Sequence, residues 1–293
     1  MPRSRHGIDS IFLEDLTWTE VELALTRGMT GVVVPLGAVE QHGPHLPLSS
    51  DADRSIALAL RVAQKLEDSL VAPALRVGCS EFHMGYAGTI SLRPATLEAV
   101  CTDYAVSLAR HGFENILFLS GHGGNFRPLR EMLPRLQEAV QAVNPECRVD
   151  AYTDLVELIS VARWVVEEET GMGDRVGGHA DIAESSEMLF LRPEFVRTEL
   201  AVEGTPGELD EEGLEDIIEK GFRSITPTGI LGDARGMQAE LGEKLLDATA
   251  RVIAREFIED ADDADDADHA DDPEGRVESP TAADAELNGG PAA

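Results

Sequence analysis

A chain of 293 residues with 55 acidic against 24 basic side chains, a formal charge of −31 and 43% apolar residues is long enough to bury a sizeable core, which we read as one domain. Basic residues are too few to make the phosphate contacts that dominate nucleic-acid binding, and the widely spaced Cys79, Cys101 and Cys147 argue against a disulfide framework or a zinc ribbon. No run of 18 apolar residues occurs and no signal-like apolar stretch follows the basic start, so a cytoplasmic, soluble protein with no membrane partner is expected.

Thr17-Trp18-Thr19-Glu20, followed by Val21, Leu23 and Leu25, predicts a capped amphipathic helix that Gly28 ends. The apolar, β-branched run Val32-Val33-Val34-Pro35-Leu36 then predicts a strand buried on both faces, which delivers Glu40, His42 and Asp51 into a Gly/Pro-rich loop. Open parallel sheets bind ligands beyond the carboxyl ends of such strands, so this polar cluster lies where sites form. Residues 52–67 fit a helix and residues 70–75 a second strand, completing a β-α-β unit. Residues 78–93, rich in glycine and aromatics and without clear periodicity, read as an excursion after it.

Pro94 starts a helix reaching about residue 111, residues 114–119 form a third strand, and Ser120 to Asn125 close that strand and open a helix to about residue 143 in which Pro134 is placed to kink. A fourth strand over 147–153, a helix over 154–169, a Gly-rich stretch over 171–178 leading to His179, and a helix over 181–191 follow. Beyond them come a polar connection over 204–213, a short helix over 214–222 and a final amphipathic helix over 241–258. Alternation of this kind predicts a three-layer α/β/α fold around a mostly parallel central sheet, occupying residues 1–258. Residues 259–293 hold 13 acidic residues against Arg276 alone and little apolar material, and are expected to be a disordered acidic tail. The tail lacks the central Gly and terminal Glu of an EF-hand loop.

A carboxylate at 40, an imidazole two residues on and a carboxylate nine residues later make a mixed N/O donor set of the kind that holds zinc, manganese or iron. Read together, Glu40-Gln41-His42-Gly43-Pro44-His45-Leu46-Pro47, Ser120-Gly121-His122-Gly123-Gly124-Asn125 and His179-Ala180-Asp181-Ile182-Ala183-Glu184-Ser185-Ser186 resemble the motifs of the creatininase (creatinine amidohydrolase) family, over roughly residues 10 to 258. The resemblance implies a metal-dependent amidohydrolase of a small cyclic or linear amide with two divalent metal ions per subunit: zinc, with manganese or iron as alternatives. Two metals could acidify a water and polarise the carbonyl. By family correspondence Asp51 bridges, Glu40 and His122 hold one metal, and His42 holds the other. Creatininase itself carries a ligating Glu in a Tyr-Glu pair where this chain has Gly123-Gly124, so the fifth ligand passes to Glu184, which matches the acidic residue of the relatives' His-Ala-Gly-x-x-Glu-Thr-Ser motif. His179 is then left for general acid/base work on the leaving nitrogen.

His45 reads equally as support for a ligand or as a loop hydrogen-bonder, and Asp53 as the cap of the helix that begins there or as a ligand-orienting group. Gly123 and Gly124 could bring backbone amides to an anion, but no G-x-x-x-x-G-K-[ST] pattern is present and an NTPase is not expected. Relatives of this kind also include a formamidopyrimidine ribotide deformylase and a peptidase of a cofactor precursor. A non-enzymatic alternative is an interaction protein working through its acidic tail with a vestigial metal site. Three lysines against 21 arginines in so acidic a chain resemble a halophilic, salt-adapted composition. The family resemblance further implies a closed homo-oligomer, most simply a hexamer, in which Phe82, Met84 and Tyr86 of the excursion would be covered by a neighbouring subunit.

Overall fold

Four strands, β1 (Gly31–Leu36), β2 (Ser69–Val71), β3 (Asn115–Ser120) and β4 (Arg148–Tyr152), pair in parallel in the order β2-β1-β3-β4. The coordinates are a computed structural model that describes residues 7–206, 217 and 219–270. The chain divides into two compact units, Met1–Arg255 and Glu256–Ala293. The sheet and the helices that cover it belong to the first; of the second only helical backbone to Ala270 is described.

Every residue of β1 is buried, as its unbroken apolar sequence requires of a central strand covered on both faces. Side chains alternate across the sheet. Val32, Val34 and Leu36 of β1 join Ile116 and Phe118 of β3 in a core shared with α1 (Trp18–Thr26), α3 (Pro94–Arg110) and α4 (Phe126–Gln141), through Ala24, Leu97, Cys101, Leu129, Met132 and Leu136 among others. Each fully buried large side chain in such a core contributes about 1.5–3 kcal/mol. On the other face α2 (Ser50–Leu66) packs on β1, β2 and β3 and also meets α6 (Ile182–Leu191), while α5 (Leu155–Thr170) contacts α6 in turn. The result is the three-layer α/β/α fold with a parallel central sheet.

Strand order decides where the site lies. The chain leaves β1 for β2 on one side and leaves β3 for β4 on the other, so the two connections diverge between β1 and β3, whose ends are level with Leu36 opposite Ser120. A crevice opens at the carboxyl ends of strands where connections part in this way. Residues 37–45 and 121–125 fall there.

The helices keep close to the sequence expectation, with informative departures. Thr17 and Glu20 do form the capping box, the Thr17 N–H donating to Glu20 Oε2 at 2.8 Å. α2 begins two residues earlier than expected, so Asp51 stands in the first turn of a helix and not in the loop. Gly37 makes this possible: a Cβ there would fall 2.3 Å from Ala52 Cα, so only glycine lets the helix start press against the end of β1. The stretch over 171–178, read as a Gly-rich connection, contains strand β5 (Val176–His179), paired antiparallel with β6 (Leu231–Gly232). α4 runs unbroken through Pro134. The final helix, α7 (Ala239–Ala270), extends past residue 258, where Ala recurs every third residue although the intervening Asp residues are poor helix formers. The rest of the acidic tail, residues 271–293, and most of the helix expected over 214–222 lie outside the described residues.

Candidate metal centre

Five backbone segments converge on the crevice. The turn after β1 supplies Glu40 and His42, α2 supplies Asp51, and the turn after β3 supplies His122; α6 adds Glu184 and β5 ends on His179. Glu40, His42, Asp51 and His122 are all buried. Two triads, Glu40-Asp51-His122 and His42-Asp51-Glu184, each place ligand atoms within 4.8 Å of one another, with Asp51 common to both. Asp51 Oδ1 lies 3.0 Å from His42 Nε2, and Oδ2 lies 3.3 Å from His122 Nδ1. Glu184 Oε2 is 3.7 Å from His42 Nε2 and Glu40 Oε1 is 3.4 Å from His122 Nδ1.

Backbone carbonyls set the imidazoles. His122 Nε2 lies 3.0 Å from the Cys79 carbonyl, which can only accept, so Nε2 carries a hydrogen and Nδ1 is the nitrogen turned toward Glu40 and Asp51. His42 Nδ1 lies 3.3 Å from the Glu40 carbonyl, leaving Nε2 to face Asp51 and Glu184. Imidazoles held from behind by a carbonyl are the usual arrangement of metal-ligating histidines. The carboxylates point the same way: both oxygens of Glu40 and Oδ2 of Asp51 are buried without a hydrogen-bond donor. A buried carboxylate oxygen left without a partner is costly unless a cation or proton satisfies it. The donor set therefore fits divalent metal, with Asp51 common to two of the candidate triads.

Protons respond to the same crowding. Burial pushes the Glu40 carboxyl up to about 7, with Asp51 adding to the effect against two imidazoles. Burial opposes charge on His42 and His122 as well, yet Asp51 with Glu184 and Glu40 outweighs it at His42, and Glu40 with Asp51 at His122, raising them to about 9 and about 10. Asp51 itself is held well below the usual carboxylate range, the two imidazoles overcoming its burial. His179 goes the other way, down to about 4, through burial and the charge on His42.

His179 lies over the centre with its ring 4.5 Å from that of His42, and its Nε2 is 2.9 Å from the Gln41 side-chain nitrogen. It also falls within ligand reach of Glu40 and His42, so geometry alone leaves it as ligand or acid/base. Ala180, beside it, holds φ at 54°, a left-handed conformation that costs a non-glycine residue roughly 1–3 kcal/mol, and its N–H donates to Glu184 Oε2 at 2.6 Å. His45 Nε2 meets Ser185 Oγ at 2.7 Å, tying the first loop to the helix that carries Glu184. Asp53 does neither thing expected of it: it ion-pairs with Arg76 and Arg192 and accepts from Ser49 Oγ. Gly123 and Gly124 form a 3-10 turn ahead of α4.

Sequence reasoning missed Arg54, Glu187, Gln41 and His83. Arg54 Nη1 grips Glu184 Oε1 at 2.6 Å, and its Nε pairs with Glu187. The signal was available in principle, since Arg54 follows Asp51 by three residues and Glu187 follows Glu184 by three, one helical turn each. A cavity of about 600 Å³ opens over the cluster, with Phe82, Leu155, Val156, Ile159, Ala162 and Phe222 on its apolar side.

The model of the family described as "Creatininase: Creatinine amidohydrolase" matches residues 14–258. The "Mycofactocin precursor peptide peptidase" of Mycobacterium ulcerans (strain Agy99) is 31% identical, covering 78% of this chain and 84% of that protein. The "Creatinine amidohydrolase" of Pseudomonas putida is 30% identical over 84% of this chain and 95% of its own length. The solved structure of "Creatininase Mn" superposes with a TM-score of 0.74 at 27% identity, over 86% of this chain and 99% of that one. With the family's fold, its motifs in order and a donor set suited to divalent metal at the carboxyl ends of β1 and β3, the chain belongs to the creatininase family of metal-dependent hydrolases.

Proposed function

We propose that the chain hydrolyses the C–N bond of a small cyclic or linear amide at a two-cation centre, with Glu40 and His122 on one ion, His42 and Glu184 on the other, and Asp51 bridging. The observation that carries this is Asp51, one buried carboxylate faced by an imidazole on each oxygen, at 3.0 and 3.3 Å. Bound cations would supply Lewis-acid polarisation of the carbonyl and acidification of a water. The chain's own residues do the rest. Arg54 and the Ala180 N–H hold Glu184 from behind, and backbone carbonyls hold the two ligating imidazoles. His179, kept neutral by its buried position, receives the proton given up in the attack and passes it to the leaving nitrogen. Zinc, manganese and iron all suit these N/O donors.

The cavity favours some substrates over others. Arg54 is the one Lys or Arg among its described lining residues, and both neighbouring carboxylates already engage it. A ribotide's phosphate finds no spare cation there, which counts against the deformylase reading. The apolar side counts for an amide carrying an apolar substituent, and the same wall gives a specific reason to keep a cofactor-precursor peptidase as the second reading. Assay of zinc- or manganese-loaded protein in high salt against creatinine, formylaminopyrimidine ribotide and short apolar peptides tests this. Turnover of the ribotide alone would overturn the substrate reading, and full turnover after metal removal would overturn the mechanism.

A further inference from the structure

Beside the proposed ligands sits a buried pair to which the proposed mechanism gives no step, although the Gln41 side-chain nitrogen also lies 2.9 Å from His179 Nε2. Gln41 and His83 are both enclosed, at 5% and 7% exposure. The Gly43 N–H meets Gln41 Oε1 at 3.0 Å, and because a backbone N–H can only donate, that atom is the amide oxygen and the other end of the side chain is the NH2. Gly229 packs closely on this amide, since a Cβ there would fall 1.9 Å from Oε1. Gln41 Nε2 lies 3.1 Å from His83 Nδ1 and therefore donates to it. A neutral imidazole that accepts at Nδ1 carries its hydrogen on Nε2, and His83 Nε2 stands 3.4 Å from Glu40 Oε1. Phe222, stacked on the His83 ring at 4.4 Å, fixes the plane in which that N–H points.

We propose that Gln41 and His83 form a positioning relay, Gly43 N–H to Gln41 to His83 to Glu40, which orients the Glu40 carboxylate for the cation it shares with His122. The inference rests on the reading of Glu40 as a metal ligand. Neither Glu40 oxygen has a donor at full hydrogen-bond distance, the Ser80 hydroxyl being the other donor beside it, and a shift of a few tenths of an ångström brings the His83 N–H to full hydrogen-bond distance. One oxygen is then steadied by the relay while the carboxylate faces the ion, as second-layer donors do for ligating carboxylates generally. Gln41 is the tautomer-setting member: without its donated hydrogen, His83 is free to protonate Nδ1 and present a lone pair to the carboxylate.

The test is competitive zinc titration of the full chain and of Gln41→Met, His83→Phe and the double variant, with imidazole nitrogen NMR of zinc-loaded protein. His83→Phe keeps the stack on Phe222 and removes the N–H. The relay predicts that one of the two zinc ions binds about 10- to 100-fold more weakly in each single variant while the other is unchanged. It also predicts that the double variant is no weaker than His83→Phe, because both changes break one chain. The NMR should show His83 protonated at Nε2, with that preference lost in Gln41→Met. Unchanged affinities in variants whose metal-free melting matches the parent, additive losses, or an Nδ1-protonated His83 in the parent would each overturn the relay alone. A parent chain that binds no zinc would overturn it together with the two-cation reading beneath it.

Discussion

Replacing Arg54 by methionine separates the metal reading from a purely structural one. The Arg54 side chain is 13% exposed and its guanidinium lies between Glu184, at 2.6 Å, and Glu187, with Asp51 Oδ1 at 3.6 Å. Methionine roughly retains the volume and removes the charge, leaving carboxylates buried beside one another. Removing one partner from a buried pair costs about 3–5 kcal/mol, because the uncompensated charge stays behind. In a domain of this size each kcal/mol moves the midpoint by about 2–4 °C, so metal-free Arg54→Met should melt about 6–20 °C below the parent. Cations held by Glu184 and Asp51 would replace part of the lost positive charge, so saturating zinc should raise the variant's midpoint by more than the parent's. Adding Glu187→Leu should recover part of the loss, since an apolar residue in place of a buried charge leaves nothing unpaired. Calorimetry with and without zinc measures all of this. A metal-free midpoint within about 2 °C of the parent would refute the argument that Arg54 neutralises these carboxylates, and equal zinc-induced shifts in parent and variant would refute the link to the metal site.

Asp51→Asn should lose both metal ions and Glu184→Gln only one, as elemental analysis after gel filtration can show, because Asp51 belongs to both triads. His179→Asn should lower kcat about 100-fold or more while leaving metal content intact; loss of a metal ion in that variant would make His179 a ligand. An acidic body with few lysines should melt at rising temperature as KCl is raised from about 0.1 to about 3 M, as screening relieves repulsion among like charges, and a flat or falling curve would leave the protein merely acidic. Light scattering in the assay buffer should find a closed oligomer, and a fully active species at the 31.6 kDa chain mass would refute it.

Two kinds of signal were legible in the sequence. Periodicity gave the parallel sheet, because β1 and β3 are apolar runs that only a strand covered on both faces would carry. Motifs gave Glu40, His42, Asp51 and His122 before the geometry that gathers them. What stayed hidden depends on contacts between distant segments. Whether Asp51 stands in a loop or a helix turns on the close approach of Gly37 to Ala52, a tertiary fact with no local signature. β5 was hidden because two glycines in Val176-Gly177-Gly178-His179 weaken its strand propensity and it exists by pairing with Leu231 and Gly232. In the excursion over 78–93, Phe82 and Met84 are exposed, whereas Tyr86, which was expected to need a neighbouring subunit, is satisfied within the chain by the Thr226 carbonyl and the Arg223 guanidinium.

The departure from creatininase at Gly123-Gly124 follows from the packing around it. A Cβ on Gly124 would fall 2.3 Å from His122 Nε2 and 2.5 Å from the Cys79 carbonyl, the very hydrogen bond that turns His122 Nδ1 toward Glu40 and Asp51. A glutamate at that position would have to displace the contact that orients its neighbour, so this backbone cannot carry a carboxylate as fifth ligand there without moving. α6 offers one instead. Asp181 accepts from the backbone at 177, 178 and 183 and so fixes the turn from β5 into α6, and the strained Ala180 aims its N–H at Glu184. Arg54, from the same helix as Asp51, takes the other oxygen of Glu184. Two elements, α2 and the turn from β5 into α6, thus converge on the one carboxylate left to complete the second triad, and their cost in strain and buried charge is explicable if Glu184 has a ligand's work to do.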